Sequence, residues 1–140
     1  MHLFTYGSLM FEPVWRRVVR DCYVAEPAFV TGLQRWCLYG ESYPGLWPGE
    51  PGDRVDGVLY RNISAADWQA LDYFEGDQYQ RQRWECLVGA EPVQAELYLI
   101  SPMYRHQCQR QPWDPKRFER EQMAAFLRGC RDYLQSPGGV

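Results

Sequence analysis

The sequence predicts an α+β domain built on a small, largely antiparallel sheet that can close into a barrel. Three observations carry this. Segments with strand composition outnumber segments with helical periodicity, most of the connections between them are short, and the 12 glycines and 10 prolines are spread along the chain as turn markers.

HLFTY, at 2–6, is rich in strand formers and predicts a central strand that runs into the turn Gly7-Ser8. EPVWRRVV predicts a short helix, with Pro13 tolerated in its first turn. AFVTGLQRWCLY has the β-branched and aromatic content of a strand, bent or broken near Gly32. YPGLWPGEPGD reads as turn chemistry throughout, and RVDGVLYRNI as the next strand.

In SAADWQALDYFEG, Ser64 is a good N-cap, Asp67 stands three residues on, and Gly76 suits the left-handed residue that closes many helices. YQRQRWECLV and VQAELYLI flank the turn GAEP and predict a hairpin of two long strands. The final helix starts with Asp114 as cap and Pro115 at its first position. Phe118, Phe126, Leu127, Cys130, Tyr133 and Leu134 fall on one side of it, the side expected to lie across the sheet. Neither repeats nor low-complexity linkers interrupt residues 1–140, which read as one domain.

A hydrophobic fraction of 46% with 16% aromatic residues suits a folded chain large enough to close around a small molecule. The formal net charge is -3 and Lys116 is the only lysine, so no basic stripe offers itself to nucleic acid or to an anionic membrane. No leader-like or membrane-spanning run is visible, and a cytoplasmic protein is the default expectation. Cys22, Cys37, Cys86, Cys108 and Cys130 are odd in number and widely spaced, without a C-x-x-C pair; most are expected to be small buried apolar groups. His2 and His106 are isolated and read as surface or packing residues rather than metal ligands.

Glu75 raises a question, because it ends a helix where the macrodipole is negative. Trp68, Leu71 and Phe74 mark the core-facing stripe of that helix, and Glu75, four residues after Leu71 and seven after Trp68, shares their side. Lost hydration, the helix terminus and the nearby Asp67 and Asp72 all favour its protonated form, which moves its pKa toward the range where proton transfer works best. The competing reading is a solvated last-turn glutamate, with Gly76 explaining the stop. Tyr6-Gly7-Ser8-Leu9 supplies a second motif: successive N–H groups at a turn, with Gly7 allowing close approach, can hold a carboxylate or a developing oxyanion. The alternative there is a plain strand-to-loop turn. Ser8 is a poor candidate nucleophile, since its surroundings are not a G-x-S-x-G elbow and neither histidine has a recognisable acid partner.

The segments LFTYGSLM, YPGL, GDRVDGVLY, LDYFEGDQYQR, AELYLI and WDPKRF, in this order across roughly residues 3 to 120, resemble the gamma-glutamylcyclotransferase-like proteins, and within them the plant avirulence-induced-gene branch and its bacterial relatives. The resemblance implies a compact β-barrel with peripheral helices around one pocket. It further implies that the loop matching Tyr6, Gly7, Ser8 and Leu9 binds the substrate's α-carboxylate end, and that the glutamate matching Glu75 is the acid/base. The reaction it implies frees an amine from a gamma-glutamyl amide and releases 5-oxoproline, with no metal and no cofactor.

Tyr79 and Arg81 complete EGDQYQR. If the strand begins directly after the turn they point the same way, with Tyr79 lining the pocket and Arg81 orienting an acid group, or each simply pairing with a neighbouring strand. Tyr43 and Leu46 are candidates for the rim. Arg35 is a weaker candidate, and Trp36, Trp47, Trp84 and Trp113 read as packing or pocket wall. The segment FEPVWRRVVRDCY matches no firm family pattern and is assigned to the leaving-group side. The expected partner is a small gamma-glutamyl amine or amino acid, bound by a monomer or homodimer. The alternatives are a non-catalytic module binding a small amine or amino acid in the same cavity, and an acyl hydrolase using Ser8.

Overall fold

In the computed structural model, which describes the backbone of residues 1–138 and the side chains of residues 1–130, eight strands form two sheets. In chain order they are β1 (Leu3–Thr5), α1 (Glu12–Val18), β2 (Ala25–Thr31), β3 (Leu33–Leu38), β4 (Pro44–Pro48), β5 (Arg54–Tyr60), α2 (Ala65–Glu75), β6 (Tyr79–Val88), β7 (Glu91–Ile100), β8 (Cys108–Pro112), α3 (Pro115–Arg117) and α4 (Met123–Gly138). A π turn at Phe118–Gln122 joins α3 to α4.

Strands β1-β5-β2-β6-β7 form a closed barrel. Its pairings are antiparallel except where β1 meets β7 in parallel, at Leu3 opposite Glu96. Strands β4-β3-β8 form a second, three-stranded sheet. The expected α+β barrel with helices is therefore the architecture found.

The bend anticipated near Gly32 is the point where the chain changes sheets: at φ 79° it ends β2 in the barrel and starts β3 in the small sheet. The segment read as turn chemistry contains β4, whose Trp47 and Leu46 pair with Gln34 and Arg35. Its prolines are tolerated because they sit at the two ends of an edge strand, at Pro44 and Pro48. The hairpin turn is shorter than GAEP, since β7 already begins at Glu91.

Strand alternation splits the core in two. Leu3 belongs to a cluster shared with the helices, including Val14, Trp15 and Val18 of α1 and Trp68 and Leu71 of α2. Its neighbour Phe4 belongs to a second cluster made of strand residues and Tyr6, with Val30, Leu59 and Leu97. Strand β1 thus faces apolar material on both sides, whereas β2 and β6 present exposed residues to solvent. Of the expected stripe on the last helix, Phe118 and Cys130 are buried and Phe126 and Leu127 partly so; Tyr133 and Leu134 lie outside the described side chains. Burial of the cysteines is less general than expected: Cys86 and Cys130 are buried, Cys37 and Cys108 are intermediate, and Cys22 is exposed. Among the described residues, no helix is long and apolar enough to cross a membrane.

Candidate active site

Helix α2 delivers Glu75. Ser64 caps its start by accepting the N–H of Asp67 at 3.2 Å, and Gly76, at φ 70°, closes it directly after Glu75. The Asp67 carboxylate is turned away from Glu75. It accepts the N–H groups of Arg20 and Asp21, both at 3.0 Å, and the Tyr23 hydroxyl at 2.6 Å, so the like charge near Glu75 comes from Asp72 rather than from Asp67.

The side chain of Glu75 faces a cavity of about 300 Å³, within the size range of small-ligand sites. Tyr6, Gly7, Ser8 and Leu9 line the same cavity, as do Tyr43 and Tyr79. Residues 8–10 form a 3-10 turn in which Met10 N–H bonds the Gly7 carbonyl and Phe11 N–H the Ser8 carbonyl, so the N–H groups of Ser8 and Leu9 precede the turn's first hydrogen bond. Gly7 is required by packing. A Cβ there would stand 2.8 Å from Cδ of Pro44.

Burial raises the Glu75 pKa to about 8, with the charge of Asp72 adding to the effect. The residue keeps part of its surface accessible because it faces the cavity, while the surrounding protein depth withholds bulk hydration from its carboxyl. Among the described residues, none hydrogen-bonds that carboxyl. The four cavity tyrosines, by contrast, are committed as donors. Tyr6 gives its hydroxyl to the Tyr98 carbonyl at 2.6 Å, Tyr79 to the Pro44 carbonyl at 2.6 Å, Tyr43 to Oε1 of Gln78 at 2.9 Å and Tyr98 to Oδ1 of Asp72 at 2.7 Å. Their oxygens retain lone pairs. Burial pushes all four phenols above their ordinary range, so they stay neutral. The result is a wall of neutral acceptors around an acid that is unpaired among the described residues, which suits a guest bearing an N–H donor.

Phe74, Phe126 and Tyr43 form an aromatic wall; Phe126 meets each of the other two edge-on at 6.2 Å. The sequence placed Phe74 and Phe126 on buried stripes without connecting them to the site. Tyr98, Gln78, Thr5, Gly129 and Cys130 also line the cavity, and no local motif marks them as site residues. Tyr98 lies within AELYLI, and a tyrosine between two leucines in a long strand was the available signal.

Arg81 is placed differently from the expectation. It does not line this cavity; its guanidinium lies over Trp68 at 4.4 Å and pairs with Asp72 at 3.2 Å. It shares a strand face with Tyr79, but two residues of strand carry it past the cavity to the flank of α2. Leu46 is fully buried in the strand cluster rather than at a rim. Arg35 supports the turn from behind, donating to the Tyr6 carbonyl at 2.9 Å with its guanidinium over Trp113 at 5.3 Å. None of Trp36, Trp47, Trp84 and Trp113 lines the cavity.

Nor does any residue of the segment 11–23. Val14, Trp15 and Val18 of α1 are core, and the segment borders a second cavity of about 530 Å³, where Trp15 stacks on Tyr60 at 3.7 Å. Neither histidine stands beside Ser8: Nδ1 of His2 accepts the N–H of Asn62 at 3.0 Å, and His106 stacks on Tyr104. Among the described residues, no group of three or more His, Cys, Asp or Glu side chains is arranged to hold a metal ion.

The fold is a closed barrel with helices laid on it, and a carboxyl of raised pKa stands on the wall of one of its cavities. Residues 3–120 match the family described as gamma-glutamyl cyclotransferase, AIG2-like, and the chain belongs to that family. It is 25% identical over 139 residues to AIG2-like protein D of Arabidopsis thaliana, a match covering 96% of this chain and 90% of that protein. The solution structure of an Arabidopsis thaliana protein superposes with a TM-score of 0.64 at 26% identity, over 99% of this chain and 86% of the other. A structure described as gamma-glutamyl cyclotransferase shares the fold, with a TM-score of 0.63 at 14% identity over 94% of this chain and 86% of its own.

Proposed function

We propose that this protein is a gamma-glutamylcyclotransferase-type enzyme that converts a gamma-glutamyl amide to 5-oxoproline and a free amine. The observation that carries this reading is the carboxyl of Glu75, unpaired among the described residues and with a pKa of about 8, on the wall of the cavity that residues 6–9 also line.

The chemistry asks little of the protein. The substrate's α-amine attacks its own side-chain carbonyl, a C–N bond forms to close a five-membered ring, and the amide C–N bond breaks. Glu75, as carboxylate, accepts the proton released by the attacking amine and returns it to the departing nitrogen, so one group performs both transfers and is regenerated. The nucleophile belongs to the substrate and no redox change occurs. What remains is to hold the chain folded on itself, which can contribute on the order of several kcal/mol to lowering the barrier. The turn at residues 7–9 is suited to the α-carboxylate, with its first N–H groups left over for an anion, and the tyrosine oxygens are suited to the amine.

The test is incubation of the purified protein with a panel of gamma-glutamyl amines and gamma-glutamyl amino acids, with 5-oxoproline followed by mass spectrometry. Release of 5-oxoproline is expected. A silent panel together with tight ligand binding would instead indicate a binding module on this fold.

A further inference from the structure

We propose that Asp72, held between Tyr98 and Arg81, is a positioning residue that fixes the last turn of α2 against the barrel and keeps Glu75 at the cavity wall. The inference rests on the reading of Glu75 as the acid/base, and it concerns residues one step removed from the chemistry.

Helix α2 ends at Glu75, and after Gly76 the chain makes a 3-10 turn before entering β6, where Ser101 donates its hydroxyl to the Asp77 carbonyl at 3.0 Å and its N–H to the Gln78 carbonyl at 2.8 Å. Those bonds hold the turn after the helix; Asp72 adds a tie on the last turn of the helix itself. One of its oxygens accepts the Tyr98 hydroxyl at 2.7 Å, from β7, while the Arg81 guanidinium, from β6, reaches the carboxylate at 3.2 Å. Arg81 and Tyr98 are directly paired across these strands, so the two donors come from one rigid position on the barrel. Arg81 is further fixed by lying over Trp68, one turn earlier on α2. Two adjacent points of the barrel thus grip α2 within one turn of Glu75. Tyr98 also accepts the Tyr6 hydroxyl at its carbonyl, which links the grip to the first residue of the turn across the cavity.

The charged and titratable groups around Glu75 can be named by element. Asp72 comes from α2, Tyr6 from the end of β1, Tyr43 from the approach to β4, Tyr79 from β6, Tyr98 from β7 and Cys130 from α4, with Arg81 behind Asp72. The tyrosines and the cysteine are buried neutral groups, so the local field at Glu75 is dominated by Asp72 as the clamp holds it.

The experiment reads the ionisation of Glu75 directly, by 13C-detected titration of its side-chain carboxyl in wild type, Asp72→Asn and Tyr98→Phe. Asp72→Asn keeps an acceptor for Tyr98 and removes the charge; Tyr98→Phe keeps every charge and removes the donor that aims Asp72, together with one cavity oxygen, so the comparison is made on the free protein. Amide NMR spectra verify that both variants are folded. The Glu75 midpoint is expected to fall by roughly one unit in Asp72→Asn and to move in the same direction in Tyr98→Phe. An unmoved midpoint in Tyr98→Phe overturns the proposal, even if Asp72→Asn shifts it, because charge alone would then act without the clamp. The titration needs no substrate, so it decides this inference separately from whether the protein releases 5-oxoproline.

Discussion

Gly7 and Pro44 touch so closely that a Cβ on Gly7 would lie 2.8 Å from Cδ and 2.9 Å from Cγ of the proline ring. The turn that lines the cavity is thereby packed directly onto β4, and the ring, rigid and anchored in a strand, has no rotamer into which it can withdraw.

Gly7→Ala is accordingly expected to destabilise the fold by roughly 1–3 kcal/mol and to displace the turn from the cavity. Thermal denaturation reads the first effect. Calorimetric titration with a gamma-glutamyl ligand reads the second, as weaker binding than the stability loss alone would produce. An unchanged melting temperature would mean that β4 is free to move.

Asp67 ties the end of α1 to the start of α2. Burial works against its ionised form, but the Tyr23 hydroxyl and the N–H groups of Asp21 and Arg20 outweigh it and hold the pKa below the usual carboxylate value. The residue is covered by close neighbours, although it lies near the molecular surface. Because the folded pKa is depressed, this stabilisation is fully present above the unfolded value and is lost as pH falls through the folded one. Asp67→Asn is expected to cost roughly 1–3 kcal/mol at pH 7, and less in strong acid. Chemical denaturation at two pH values measures the difference.

Glu75 has the opposite linkage. The folded state keeps its proton up to about pH 8, whereas the unfolded chain releases it near 4.5. Between these values the unfolded state binds fewer protons, so stability falls as pH rises and levels off above about 8. Glu75→Gln removes this dependence. The variant is expected to gain on wild type by roughly 2–4 kcal/mol between pH 5 and pH 9, a range reduced from the full shift because Glu75 keeps part of its surface accessible. Equal pH profiles for the two proteins would mean that the carboxyl is solvated.

The helix carrying Glu75 was legible because its signals are local: a serine cap, a glycine stop and a hydrophobic period that put Glu75 on the side of Leu71. The hairpin of β6 and β7 was legible for the same reason. Strand β4 was not, since Pro44, Gly45 and Pro48 carry turn propensities that pairing with β3 overrides. Arg81 shows the limit of alternation: it gives the face on which a side chain lies, but not how far along the strand a cavity extends. Nor could the sequence connect Phe126 and Cys130 to the site, because their place at the cavity depends on how the C-terminal helix docks, a non-local property.

The central claim, that Glu75 moves the proton of ring closure, is tested most directly by comparing wild type with Glu75→Gln on one gamma-glutamyl amide that the wild type turns over. 5-Oxoproline is quantified by mass spectrometry and ligand affinity by calorimetry. The account predicts a rate loss of about 10²–10⁴-fold with affinity nearly unchanged; turnover by Glu75→Gln at the wild-type rate would contradict it.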